Sequence, residues 1–226
     1  MKNSKMFSFI THTWNPVKYC SHGCLYCWAR RYGLDPRPKL YEDRLNAKFP
    51  KGAFVFVCDL GDLFCDDMPC YIIERVAEVI ENNPQAKFLF MTKNPSRYYD
   101  DLDPLDNVVY GITIESNRNY PELSRAPKQT DRLDVLLQLD RAMKRTFVSV
   151  EPILDFDLDS MVYFLTNFAR AVAVGYDNYD HRLPEPPLEK TLMLIEELKR
   201  HGVKVFTKTL RPAWYENAPS KVMEEV

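Results

Sequence analysis

The sequence predicts an α/β fold built on parallel strands, and three observations carry that expectation. Seven short apolar runs alternate with helical patterns along the 226 residues, most runs are near-continuous stretches of β-branched or aromatic residues, and polar or charged residues follow each run. Unbroken apolar runs suit parallel strands covered on both faces, and their alternation with helices suits strand–helix–strand crossovers. Two architectures meet these conditions, an open doubly wound sheet and a partial barrel. Seven strands fall short of a full eight-unit barrel, which typically takes about 250 residues.

In chain order, strands are expected at residues 7–10, 54–57, 88–91, 108–114, 146–150, 171–174 and 203–206. A helix is expected at 71–82, where Ile72, Ile73, Val76, Val79 and Ile80 recur on one face. Weaker helical patterns run over 132–143 and 158–168. Leu188, Leu192, Ile195 and Leu198 line a last helix that stops at Gly202. The tail after Pro212 is expected to be peripheral, with a short terminal helix. No internal repeat, low-complexity linker or domain boundary interrupts residues 1–226, which are expected to form a single domain.

Composition bounds the function. With 46% hydrophobic and 27% charged residues the chain has material for one substantial core. A formal net charge of -2 removes any global electrostatic case for nucleic acid or membrane, so such binding has to be local. Six cysteines are too few for a disulfide scaffold, and the opening MKNSKMFSFI lacks the apolar stretch of a signal peptide. Reduced thiols in the cytoplasm are therefore expected. No run reaches the roughly 18 apolar residues a membrane span needs.

Chemistry gathers at the carboxyl edge of parallel strands in both architectures. The first run leads through His12 and Trp14 into Cys20-Ser21-His22-Gly23-Cys24-Leu25-Tyr26-Cys27, a C-x3-C-x2-C triplet. Structural zinc closes its tetrahedron with four ligands, whereas three thiolates leave one position open, as in an iron-sulfur cluster with one iron free. At this level the alternatives stay open: a cluster, zinc with His12 or His22 as fourth ligand, or incidental thiols. Lys93, Glu115 and Glu151 each follow an apolar run almost directly. Any one of them alone reads equally as a solvated turn or helix cap.

Several stretches then coincide with a known pattern: Thr13 to Val17 before the triplet, Gly61-Asp62-Leu63-Phe64, Met91-Thr92-Lys93-Asn94-Pro95, Gly111 to Glu115, Val148 to Pro152, and Val205 to Lys208. Together with the spacing of Cys20, Cys24 and Cys27 and the aromatic Tyr26 before the third cysteine, they make the chain resemble the radical S-adenosylmethionine superfamily. Within it the chain is most similar to the phage- and prokaryote-associated three-cysteine-motif proteins. The resemblance implies a partial (β/α) TIM-like barrel of six to seven parallel strands. It also implies a 4Fe-4S cluster on Cys20, Cys24 and Cys27, with S-adenosylmethionine bound at the open iron. Reductive cleavage would give a 5'-deoxyadenosyl radical that abstracts hydrogen from a substrate, with a reductant such as a flavodoxin or ferredoxin as partner.

The chain departs from the superfamily at two places. A Gly-Gly-Glu-like segment is replaced by Leu60-Gly61-Asp62, which leaves Asp62 as the candidate acceptor for the methionine amino group. The stretch after the sixth strand is Gly175-Tyr176-Asp177-Asn178, so no substrate carries over from relatives. Lys93 is the candidate for the methionine carboxylate, and Thr113 with Glu115 for the ribose hydroxyls. Glu151 and Lys208 are the candidate catalytic pair, with a purely structural ion pair as the competing reading.

Cys58 reads as a packed small residue at a strand end, unless it faces the barrel mouth, and Cys65 and Cys70 lack ligand spacing. Trp14 and Trp28 bracket the triplet and are expected to shield it. From Lys18 to Lys51 eight Lys or Arg face three acids, which would suit the phosphates of a nucleic acid or nucleotide, or serve as a solvated surface. The leading expectation is a radical S-adenosylmethionine enzyme of unknown substrate. The alternative is a non-catalytic zinc- or cluster-binding module that contacts a partner through this basic segment.

Overall fold

The computed structural model describes residues 7–102, 105–141 and 145–216. Seven strands form one parallel sheet: β1 (His12–Trp14), β2 (Phe54–Val57), β3 (Lys87–Thr92), β4 (Val108–Thr113), β5 (Thr146–Val150), β6 (Ala171–Val174) and β7 (Lys204–Thr207). Helices α1 (Cys70–Glu81), α2 (Arg97–Asp100), α3 (Gln129–Arg141), α4 (Leu158–Phe168) and α5 (Leu188–Arg200) supply crossovers between them. Spatial order equals chain order, from β1 to β7 without reversal. A doubly wound sheet reverses at a switch point, so the sequential order decides for a curled half-barrel with β1 and β7 as its edges among the described residues.

The pleat explains why the strands read as continuous apolar runs. Val55 and Val57, Phe88 and Phe90, Val148 and Val150, and Val172 and Val174 face the helices, where Ile72, Val76, Leu136, Met161, Leu165, Ile195 and Leu198 cover them. The intervening Phe56, Leu89, Phe147 and Ala173 face the hollow of the curl. Both faces of each strand are therefore apolar for different reasons, one packing on helices and one filling the barrel.

The first strand is corrected. The apolar run at 7–10 is not β1; it makes a turn, with the Ile10 amide donating to the Phe7 carbonyl at 2.9 Å, and plugs the half-barrel from within. Phe7 packs on Phe147 with ring centroids 4.8 Å apart, and Phe9 lies 4.8 Å from Phe206. The strand is instead the short His12–Trp14 segment, which as an edge strand buries only Trp14. A run this apolar is more stable in the hollow, walled by Phe56, Leu89 and Phe147, than on a half-exposed sheet edge.

Two smaller expectations also change. The segment after Pro212 is not peripheral up to residue 216: Ala213 is fully buried, and Trp214 Nε1 donates to the Leu183 carbonyl at 2.8 Å. The expected terminal helix lies outside the described residues beyond 216, as do residues 142 and 143 of the third expected helix. No helix among the described residues is long and apolar enough to cross a membrane.

Candidate functional site

A cavity of about 880 Å³ opens at the carboxyl edge of the strands. Its floor is Phe7 and Phe56, and its walls include Cys20, Cys24, Cys27, Tyr26, Asp62, Lys93, Thr113, Glu151 and Lys208. The candidate thiols and cofactor or catalytic residues from the sequence are on this surface except Glu115, which lies wholly buried; His12 and His22, the alternative zinc ligands, are not on it. A second hollow, of about 760 Å³ at the opposite strand edge near Phe9, Lys87 and Arg145, has no thiol in its walls.

The thiol loop is fastened on two sides. On one, the Leu25 amide donates to the Leu123 carbonyl at 2.9 Å and the Arg125 amide to the His22 carbonyl at 2.8 Å. On the other, the Asp62 amide donates to the Tyr19 carbonyl at 2.9 Å. Gly61 makes that approach possible, since a Cβ there would sit 2.6 Å from the Tyr19 carbonyl oxygen. Within the loop Gly23 takes φ 64°, the left-handed conformation glycine adopts without strain. Cys24 Sγ lies 3.1 Å from Ser124 Oγ. Burial pushes the Cys20 thiol well up, and the negative charge of Asp62 adds to it.

Asp62 is already engaged. Its Oδ2 accepts from Thr92 Oγ1 at 3.0 Å and the Lys93 amide at 2.9 Å and lies 2.7 Å from His22 Nε2, while its Oδ1 accepts from the Phe64 amide at 2.9 Å. Burial would raise its pKa, but the neighbouring His22 and these hydrogen bonds outweigh it and hold the carboxyl below its ordinary value. His22, buried and bonded to Asp62, is thus tied to a carboxylate in the loop's support. Among the described residues no three His, Cys, Asp or Glu side chains converge on a single ion.

Glu115 is the hub of a second buried cluster. Its Oε2 accepts from Arg132 Nη1 at 2.7 Å, and its Oε1 is shared by Lys93 Nζ and the Tyr26 hydroxyl. Burial acts to raise this carboxyl, yet the two cations overcome it and bring the pKa down to about 2. Burial and the Glu115 charge push the Tyr26 hydroxyl well up, so it serves as a neutral donor. Both Glu115 oxygens are therefore used within the protein, and the expectation that it meets ribose hydroxyls is revised: Thr113 stands on the wall, Glu115 behind it. Arg132 was not anticipated. Its only signal is a position beside the apolar Leu133, Leu136 and Leu139 of α3, and it is 1% exposed.

The opposite wall is built differently. Glu151 accepts from Ser149 Oγ at 3.2 Å; burial pushes its pKa up, and Lys208 partly offsets this. Lys208 Nζ stands 5.0 Å over the Phe7 ring. Gly175 separates the two, because a Cβ there would lie 2.8 Å from Lys208 Cβ and 3.0 Å from Glu151 Oε1. Cys58 directly follows β2 with φ 57°, is 2% exposed and contributes to the cavity wall, so the packed and mouth-facing readings both describe it. Trp28 lines the cavity, but Trp14 does not: it packs on Phe49 and Phe88 under the outer layer, and its expected shielding role is withdrawn.

The half-barrel fold is similar to that of spore photoproduct lyase. A Tyr-to-Phe mutant of that protein superposes with TM-score 0.61 at 11% identity, over 86% of this chain and 75% of the other. A Cys-to-Ser mutant gives 0.58 at 13%, over 82% and 60%. A double mutant with bound AdoMet and dinucleoside spore photoproduct gives 0.55 at 12%, over 87% and 64%. At these identities the likeness is one of fold, and this chain spans from 60% to 75% of those chains' lengths. By sequence, the chain belongs to the family described as "Protein of unknown function (DUF5131)", whose model matches residues 4–165. No curated protein matches it.

Proposed function

We propose that the protein is a radical S-adenosylmethionine enzyme, close to the three-cysteine-motif branch, working in this cavity. The observation that supports the reading is that Cys20, Cys24 and Cys27, from one fastened loop, line the same cavity as Lys93, Thr113, Glu151 and Lys208. The donor set fits a 4Fe-4S cluster: three soft sulfurs and no fourth ligand, since His22 is bonded to Asp62. A half-buried thiol such as Cys20, pushed up by its surroundings, needs a cation to ionise, and coordinated iron would supply it. When bound and reduced, the cluster supplies the electron that cleaves S-adenosylmethionine to methionine and a 5'-deoxyadenosyl radical.

The chain's own residues have the remaining tasks. Lys93 keeps N–H donors beyond the one given to Glu115 and offers them to the methionine carboxylate. Thr113 offers a hydroxyl to the ribose. Asp62, saturated by protein donors, holds His22 and the thiol loop in register rather than the methionine amine. Glu115 and Arg132 position Lys93 and Tyr26. Glu151, whose pKa is raised, and Lys208 beside it face the substrate, where they hold and move protons. The Phe7 and Phe56 floor keeps water from the reacting carbon. The reductant is a low-potential donor such as a flavodoxin or ferredoxin.

Anaerobic reconstitution with iron and sulfide tests this. The protein is expected to turn brown, bind four irons per 4Fe-4S cluster, and release 5'-deoxyadenosine when reduced with S-adenosylmethionine. The Cys24→Ala variant is expected to lose both. Colourless protein holding stoichiometric zinc would sink the reading, as would full cleavage activity in Cys24→Ala.

A further inference from the structure

The mouth of the cavity carries a combination that the chemistry inside does not use. Trp28 and Tyr32 stand edge to face, 5.5 Å apart, on the short helical turn that succeeds Cys27, and Tyr32 is 63% exposed. Across the opening, Tyr179 from the segment after β6 is 39% exposed, and the Arg31 guanidinium lies 4.0 Å from its ring centre. Trp28, Tyr32 and Tyr179 all contribute to the cavity surface, so these flat faces border the entrance.

The segment from Lys18 to Lys39, which gives Trp28, Tyr32 and Leu34 to the cavity wall, carries cations without carboxylate partners. Among the described residues no ion pair is formed by Lys18, Arg30, Arg31, Arg37 or Lys39. Lys39 Nζ instead stands 4.7 Å from the Tyr41 ring centre, with Lys18 Nζ at 5.9 Å. The acids of these segments have other hydrogen-bond partners. Asp35 accepts from the Tyr41 hydroxyl at 3.1 Å, Asp177 is bonded to His181, and Asp180 pairs with Arg182.

We propose that this entrance binds single-stranded nucleic acid, with one base directed into the cavity. Unpaired cations suit a chain of phosphates, and exposed flat rings suit unstacked bases. An acidic peptide would satisfy the cations and leave the rings without a role. A paired duplex would keep its bases in the stack, out of reach of a site floored inside a half-barrel. The volume agrees: 880 Å³ lies near the top of the range of about 300–1,000 Å³ for one small ligand, which leaves room for a base beside a nucleoside cofactor. Binding at this surface stands apart from the proposed enzymatic reading; only the chemistry on the bound strand rests on it.

The test is fluorescence anisotropy with a labelled 12-nucleotide oligothymidylate, the matching duplex and poly-glutamate, on full-length protein before and after cluster reconstitution. Single strand is expected to bind at least tenfold more tightly than duplex or poly-glutamate. The double variant Arg30→Glu, Arg37→Glu should weaken binding about tenfold or more at low salt and flatten the salt dependence. Tyr32→Ala should weaken binding severalfold with the salt slope unchanged. No binding, equal affinity for poly-glutamate, or a preference for duplex overturns the proposal. Oligonucleotide binding without 5'-deoxyadenosine release would uphold this surface and sink the enzymatic reading; release without binding would do the reverse.

Discussion

The two walls of the cavity each bury a glutamate against a lysine, and they treat it oppositely. On the β3–β4 wall Glu115 is fully enclosed, bonded to Lys93, Arg132 and Tyr26, and its pKa falls to about 2. On the β5–β7 wall Glu151 has Lys208, one serine hydroxyl and a weaker pull from Lys93, and burial still pushes its pKa up. The difference lies in the balance against burial: at Glu115 two cations and a phenol outweigh desolvation, whereas at Glu151 Lys208, a serine hydroxyl and Lys93 do not. A carboxylate saturated by its own protein serves as a fixed anchor. One left short of partners stays responsive to a proton or to a substrate.

The largest effect is expected from removing the anchor. Glu115→Gln leaves the buried Arg132 and the half-buried Lys93 without their counter-charge, a loss of about 3–5 kcal/mol. Urea unfolding measures it, and a change below about 1 kcal/mol would show that the cluster is not holding the wall. Acid sensitivity comes next. Glu115 is depressed to about 2 from an ordinary 4.5, so its stabilisation is complete above pH 4.5 and is lost as pH falls toward 2. That window is worth on the order of 3 kcal/mol. Glu115→Gln should flatten the stability curve there, and an unchanged acid limb would contradict the assignment.

Gly175→Ala probes the responsive wall. The added methyl meets Lys208 and Glu151, and an overpacked contact costs about 1–3 kcal/mol. Substrate turnover should fall while cluster content measured by absorbance is retained; loss of the cluster as well would break the separation between the walls. The smallest effect belongs to Glu151→Gln. A carboxyl raised on folding destabilises the folded state once ionised, so stability declines as pH rises from the unfolded value through the folded one. The neutral variant should escape that decline, matching the parent in acid and equalling or slightly exceeding it at pH 7. A clear destabilisation at pH 7 would mean that the Lys208 interaction dominates, and Glu151 would join Glu115 as an anchor.

The strands from β2 onward were legible because most are short, near-continuous β-branched or aromatic runs. The helix over Cys70–Glu81 was legible because Ile72, Ile73, Val76, Val79 and Ile80 keep helical spacing. Residues 7–10 have the same local character as a strand, and local character cannot tell a strand from a plug. The thiol loop was legible from spacing, and Lys93, Thr113, Glu151 and Lys208 from their positions at or just past the ends of apolar runs. Arg132 was hidden because its partner Glu115 is 17 residues away on another element. The bond between His22 and Asp62 was hidden for the same reason, across 40 residues.

Sequence by itself determined the α/β class, the three-thiol loop and the strand edge where polar groups collect, because periodicity and ligand spacing are properties of short stretches. Only the tertiary structure decided that the strands run in sequential order, that Phe7 and Phe9 fill the hollow, and that Asp62 and Glu115 are held by the protein's own donors while Thr113 and Glu151 face the cavity. A carboxylate's role depends on which distant donors and cations reach it once burial removes water. That is settled by packing, which the local pattern does not contain.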